Sequence, residues 1–152
     1  MKLSCKSLYA IRALFDLAYH GSGVPVKIED IARRECISAR FLEQIFKDLK
    51  KADLIASKRG PKGGYFLVRR PETITLGEVI RLLEGSMEES LCRDDVGGDS
   101  PSVKVTQAAL QEMALQVRDL LDGVTIEDLT KRGEEMGVQR AGAHRGVGGR
   151  ER

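Results

Sequence analysis

The most constraining feature of the 152-residue chain is residues 57–70, SKRGPKGGYFLVRR. Five cationic side chains and three glycines surround one proline, and an aromatic run of strand-forming residues follows directly. Glycine and proline supply turn dihedral angles, and short apolar segments flank them on both sides. Residues 54–57 therefore read as one strand and 65–68 as its antiparallel mate, with 60–64 as the tip. A phosphate-cradling P-loop is excluded, because the GxxxxGKS/T spacing is absent and no helix follows.

The hairpin gains meaning from what precedes it. Over residues 4–20, Leu8, Ile11, Leu14, Phe15 and Ala18 recur at helical spacing with Leu17 beside them, and Gly21, Gly23 and Pro25 supply the stop. A shorter segment, KIEDIARRE, puts Ile28, Ile31 and Ala32 on one face and breaks at Cys36 and Ile37. Ser38 then caps a third helix, in which Phe41, Leu42, Ile45, Phe46 and Leu49 form an apolar stripe. Arg40, Glu43, Gln44, Lys47, Lys50 and Lys51 face away from it. Two such helices make a helix-turn-helix, whose second helix can enter the major groove. With the hairpin behind them the order is that of a winged helix, whose tip can follow phosphates or dip into the minor groove.

Charge is distributed in the same sense. Residues 1–71 carry 15 Lys and Arg against 7 Asp and Glu, whereas residues 72–133 carry 6 against 13, so the net +2 conceals a basic N-terminal half. A polyanion is the partner this asymmetry fits. No apolar run approaches the roughly 18 residues that span a bilayer, and Arg12 and Asp16 interrupt the N-terminal segment, so neither a membrane span nor a secretory signal is expected. The expected location is the cytoplasm.

The second half reads differently. Ile74, Thr75, Glu78 and Val79 form a staple and capping box for a helix running to about Gly85. Residues 86–104 lack periodicity and carry several acids, which predicts a mobile loop. Beyond it Leu110, Met113, Val117 and Leu120 make a narrow apolar seam, with Ala114 and Leu121 alongside, that suits packing against a second copy of the chain. Thr125 and Asp128 start a last short helix ending near Met136, and the Gly- and Arg-rich residues 137–152 predict a disordered tail. The expected organisation is a winged helix-turn-helix over 1–85, a loop over 86–104, a dimerisation helix with a short helix over 105–136, and a tail. The fold class is mainly α with a two-stranded wing.

These segments resemble the Rrf2 family of bacterial winged-helix transcription regulators over roughly residues 1–130. The resemblance is carried by YAIRALFDLA, by SARFLEQIFKDLKKADLIASKRGPKGGYFLVRRPETITLGEVIRLLEG and by VRDLLDGVTIEDL. It implies a homodimer on a pseudo-palindromic double-stranded DNA operator, usually a repressor. It places Ser38, Arg40, Glu43 and Gln44 against base edges and Arg59 and Lys62 at the wing. Arg can bond guanine, Gln adenine, and Glu can accept from cytosine, each worth ~1–3 kcal/mol of discrimination. Lys47, Lys50 and Lys51 suit phosphate contacts.

One departure stands out. Iron–sulfur members of the family place three close cysteines before the dimer helix, whereas this chain has Cys92 alone there, with Cys5 and Cys36 far off in sequence. Carboxylates are poor ligands for soft iron–sulfur iron, so no cluster and no other cofactor is expected. An iron–sulfur sensor with unusual ligands is one alternative, and a winged helix used only for protein docking is the other. Cys92 beside Arg93 is a candidate redox thiol, and a small metabolite or partner protein is the other candidate input. No metal-spaced His/Cys group, catalytic carboxylate pair or nucleophile motif points to an enzyme.

Overall fold

The structure, a computed structural model, describes residues 2–86 and 98–142. Helix α1, Cys5–Asp16, starts where the Ser4 hydroxyl accepts from the Ser7 N–H. The helix expected over 4–20 is in fact two segments, because Leu17–Gly21 widens into a π turn before Ser22 adopts a left-handed conformation at φ 46°. Asp16 lies at that junction, fully buried, and accepts two 2.7 Å bonds from Arg34 of helix α2, Ile28–Glu35. A buried carboxylate is tolerable only with such a partner.

Helix α2 ends at Cys36 in the left-handed region, and Ser38 caps helix α3, Ala39–Lys51, by accepting from the Phe41 N–H at 3.2 Å. Leu42, Ile45, Phe46 and Leu49 are buried along α3, as their spacing requires. Phe41 meets Tyr9 edge-on, with ring centroids 5.6 Å apart. The core joins these side chains to Ala13, Leu14, Leu17 and Ile31.

The wing consists of β1, Ile55–Lys58, and β2, Gly64–Leu67, with Ile55 opposite Leu67 and Lys58 opposite Gly64. Each strand is shifted by one residue from the sequence expectation. Leu54 points into the core instead, and Gly64 belongs to β2 rather than to the tip. The cause is a third backbone edge: Val26 and Tyr65 exchange two bonds of 2.8 Å. At φ 144° Gly64 lets the two chains meet, since any Cβ there would strike the Val26 backbone.

Helix α4, Leu76–Glu84, is capped by Thr75, which accepts from the Glu78 N–H at 3.1 Å. The reciprocal half of the expected capping box is not formed, because the Glu78 carboxylate turns to Arg69 at 2.6 Å. Helix α5, Pro101–Asp122, begins four residues before the expected boundary at 105, since Ser100 caps it and Pro101 occupies its first turn. Ala114 is buried where α5 packs along α4, and Arg81 of α4 donates to Asp122 at 2.9 and 3.1 Å. Helix α6, Ile126–Glu135, has the full capping box of Thr125 and Asp128.

Helix α6, grouped with the dimer helix in the expected organisation, also reaches the core of α1–α3, where Ile126 is buried and donates to the Ile74 carbonyl at 2.9 Å. Residues 137–142, expected to begin a disordered tail, are fastened to the end of α1. The Tyr19 hydroxyl donates to the Val138 carbonyl at 2.7 Å, the Arg140 guanidinium lies 4.6 Å from the Tyr19 ring centre, and the Ala141 N–H donates to His20 Nδ1 at 2.9 Å. The Tyr19 ring of the π turn after α1 supplies the anchor that local composition lacks. Burial lowers the His20 pKa, with Asp16 opposing and Arg34 and Arg140 adding to the effect, and the neutral ring is the form that accepts from Ala141. Cys92 and most of the loop expected over 86–104 lie outside the described residues.

Candidate nucleic-acid interface

The fold buries one face of α3 and turns the other outward. Arg40, Glu43, Gln44, Lys47, Lys50 and Lys51 are all exposed on that outer face. Ser38, at its start, is exposed as well, although its hydroxyl is engaged as the cap. Arg40, Glu43, Gln44 and Lys47 have no side-chain hydrogen bond or ion pair with any described residue, so their donors and acceptors are available to a ligand. Arg59 and Lys62 stand equally free in the wing tip.

Not every cation of this half is free. Lys50 donates to Ser57 at 2.9 Å, which ties the end of α3 to β1 and fixes the wing relative to the helix. Arg69 binds Glu78 and the Thr73 carbonyl and so holds the hairpin base, whereas Arg70 pairs with Glu72 at 3.2 Å on the exposed surface. Lys6 of α1 donates to Asp48 of α3 at 2.6 Å, and that bond lowers the Asp48 pKa. The acid on α3 is thereby offset by a lysine from outside the recognition face.

Two contacts that hold these elements together were not expected from the sequence. The Asp16–Arg34 pair joins α1 to α2, and the Val26–Tyr65 bridge joins the α1–α2 connection to the wing. A single paired residue is too short to show alternation. The only available hint was Asp16 interrupting an otherwise apolar helix face.

On α5, Leu110, Met113 and Leu120 are 42%, 58% and 72% exposed, and Val117 is half-buried. Val105, which the seam did not include, is 68% exposed. The two described cysteines, Cys5 and Cys36, are exposed on α1 and at the end of α2, and no group of three or more His, Cys, Asp or Glu among the described residues is arranged to hold a metal ion. No helix among the described residues is long and apolar enough to cross a membrane.

Residues 3–132 match the family described as Rrf2, iron-dependent transcriptional regulator. The chain belongs to the Rrf2 family. It is 36% identical over 129 residues to the transcriptional regulator IscR of Aliivibrio salmonicida, covering 85% of this chain and 77% of that one. Among solved structures, IscR of T. potens superposes with a TM-score of 0.75 at 35% identity, covering 92% of this chain and 93% of the other. CymR of B. subtilis, described as its global cysteine regulator, superposes with a TM-score of 0.74 at 33% identity, covering 87% and 98%. The winged helix is thus that of an Rrf2 DNA-binding transcription regulator. The family description mentions iron, and the chain has three cysteines. Only one lies between α4 and α5, and the other two sit on separate elements.

Proposed function

We propose that the protein is a cytoplasmic, homodimeric repressor that reads a partly palindromic operator and does so without an iron–sulfur cluster. It acts by binding, not by catalysis. The observation that carries this reading is the set of unpaired side chains on one surface: Arg40, Gln44 and Lys47 on α3 beside Arg59 and Lys62 at the wing tip. Ser38 and Glu43 complete the base-reading group, and Lys47, Lys50 and Lys51 meet phosphates. Two recognition helices would enter major-groove faces about one or a few helical turns apart, roughly 34 Å per turn. The signal reaches this surface through the Cys92 thiol, a small metabolite or a partner protein.

The rival use of this fold is docking onto another protein, with the basic face merely solvated. The Arg59→Glu, Lys62→Glu double variant separates the two. Fluorescence anisotropy with operator DNA is expected to show at least tenfold weaker binding while circular dichroism and oligomeric state stay unchanged. Unaltered DNA affinity would leave the docking module as the better reading.

The dimer reading rests on the exposed apolar side of α5. Burial of a leucine-sized side chain contributes about 1.5–3 kcal/mol, so Met113→Glu with Leu120→Glu should convert the dimer to a folded monomer in sedimentation velocity. A variant that still sediments as wild type does would remove α5 from the interface. For the cofactor, anaerobically purified protein is expected to be colourless, without the visible bands of an iron–sulfur cluster. A brown preparation with such bands would overturn that part.

A further inference from the structure

A cavity of about 440 Å³ lies where the wing tip faces the α1–α2 connection and the start of α2, with residue Ala141 of the anchored C-terminal segment on its rim. That volume is within the roughly 300–1,000 Å³ of small-molecule sites. Its charged lining comes from Lys27, Asp30, Arg34 and Lys62, with the His20 ring beside them. Two of these are already matched: Arg34 by the buried Asp16, and Asp30 by Arg33 at 2.6 Å. Lys27 and Lys62 have no partner among the described residues and are the uncompensated charges of the cavity. Lys27 is also the N-cap of α2, where its side chain makes no cap bond, and the first-turn acids Glu29 and Asp30 offset the positive end of the helix, so the two ammonium groups carry the site.

We propose that this cavity binds a small, multiply charged anion bearing carboxylate or phosphate groups, and that an occupant bridging Lys27 and Lys62 withdraws Lys62 from DNA. Two ammonium groups from two separate elements suit a ligand with two anionic groups. The second part rests on the DNA-binding role of the wing, since Lys62 serves both sites. By linkage, whatever the anion costs in DNA affinity, DNA costs equally in anion affinity. The cavity is enclosed partly by the segment that Tyr19 and His20 hold, so its shape depends on residues remote from α3.

The test is a titration of the full chain with sodium citrate and with inorganic pyrophosphate, balanced by chloride to constant ionic strength and followed by amide ¹H–¹⁵N spectra. Saturable shifts are expected at Lys27, Lys62, Gly63 and Ala141, with Lys47 and Lys51 of α3 unmoved, and Lys27→Gln should weaken the response at least tenfold while keeping a dispersed spectrum. Shifts spread over every lysine-bearing segment, or unchanged by Lys27→Gln, would overturn the site. This arm contains no DNA, so it reads the cavity even if the DNA-binding role fails. In a second arm, saturating citrate should lower wild-type affinity for a mixed-sequence duplex severalfold against matched chloride, and have no such effect on Lys27→Gln. Should Lys27→Gln itself weaken duplex binding by that factor without citrate, and the duplex shift the same amides, the occupant is a backbone phosphate and the small-anion assignment is wrong.

Discussion

Between roughly 50 and 200 mM salt, the affinity of this protein for duplex DNA is expected to fall by ~10³ or more. The expectation follows from a count of free cations. Among the described residues Arg40, Lys47, Lys51, Lys58, Arg59 and Lys62 are exposed on the α3 and wing surface, with Lys50 held to Ser57 beside them. Each phosphate neutralised releases condensed counterion, so a surface making about six such contacts gives a log–log slope near −5. A dimer presents the surface twice, which steepens the slope further. Arg69 and Arg70 should add little, because Glu78 and Glu72 already match them. Anisotropy titrations across that salt range check the slope. A flat response would mean that the exposed cations do not meet phosphates, and the interface assigned to α3 and the wing would be withdrawn.

The parts of this interface differed in how visible they were from sequence. The apolar stripe of α3 repeats over several turns, and Ser38 marks its start with an acceptor that only a helix N-terminus needs, so both the helix and its outward face were legible. Turn chemistry likewise gave the hairpin, because residues 60–64 leave few other conformations open. The exact register was not legible. It depends on Val26, 39 residues before Tyr65, which pairs with β2 and draws Gly64 into the strand. Long-range contacts hid the remainder too. Glu78 has the spacing of a capping box, but Arg69 competes for its carboxylate. Residues 137–142 have nothing apolar enough to promise order, yet the Tyr19 ring gives Arg140 a face to cover. Local rules worked where the deciding partner lay within a turn or two and failed where it lay on another element.

The buried Asp16–Arg34 pair ties α1 to α2, beside the more exposed Arg12–Glu35 pair. Asp16 has no exposed side-chain surface, Arg34 is 22% exposed, and the hydrogen bond that Arg34 donates to Asp16 is the main cause that raises the Arg34 pKa. Arg34→Met removes the cation and leaves a carboxylate buried without its partner, a change that costs about 3–5 kcal/mol in comparable sites. For a chain of this size that corresponds to a melting point lower by roughly 10 °C at fixed protein concentration. The Asp16→Leu, Arg34→Met double variant is expected to recover most of the loss, because an apolar pair of similar volume avoids the desolvation of both charges. Denaturant unfolding followed by circular dichroism distinguishes the outcomes. If the single variant loses less than about 1 kcal/mol, water must already reach Asp16, and the pair is then an ordinary surface contact. If the double variant is as unstable as the single one, the geometry of the two bonds matters more than the charge they neutralise, and the tie between α1 and α2 is made by hydrogen bonding itself.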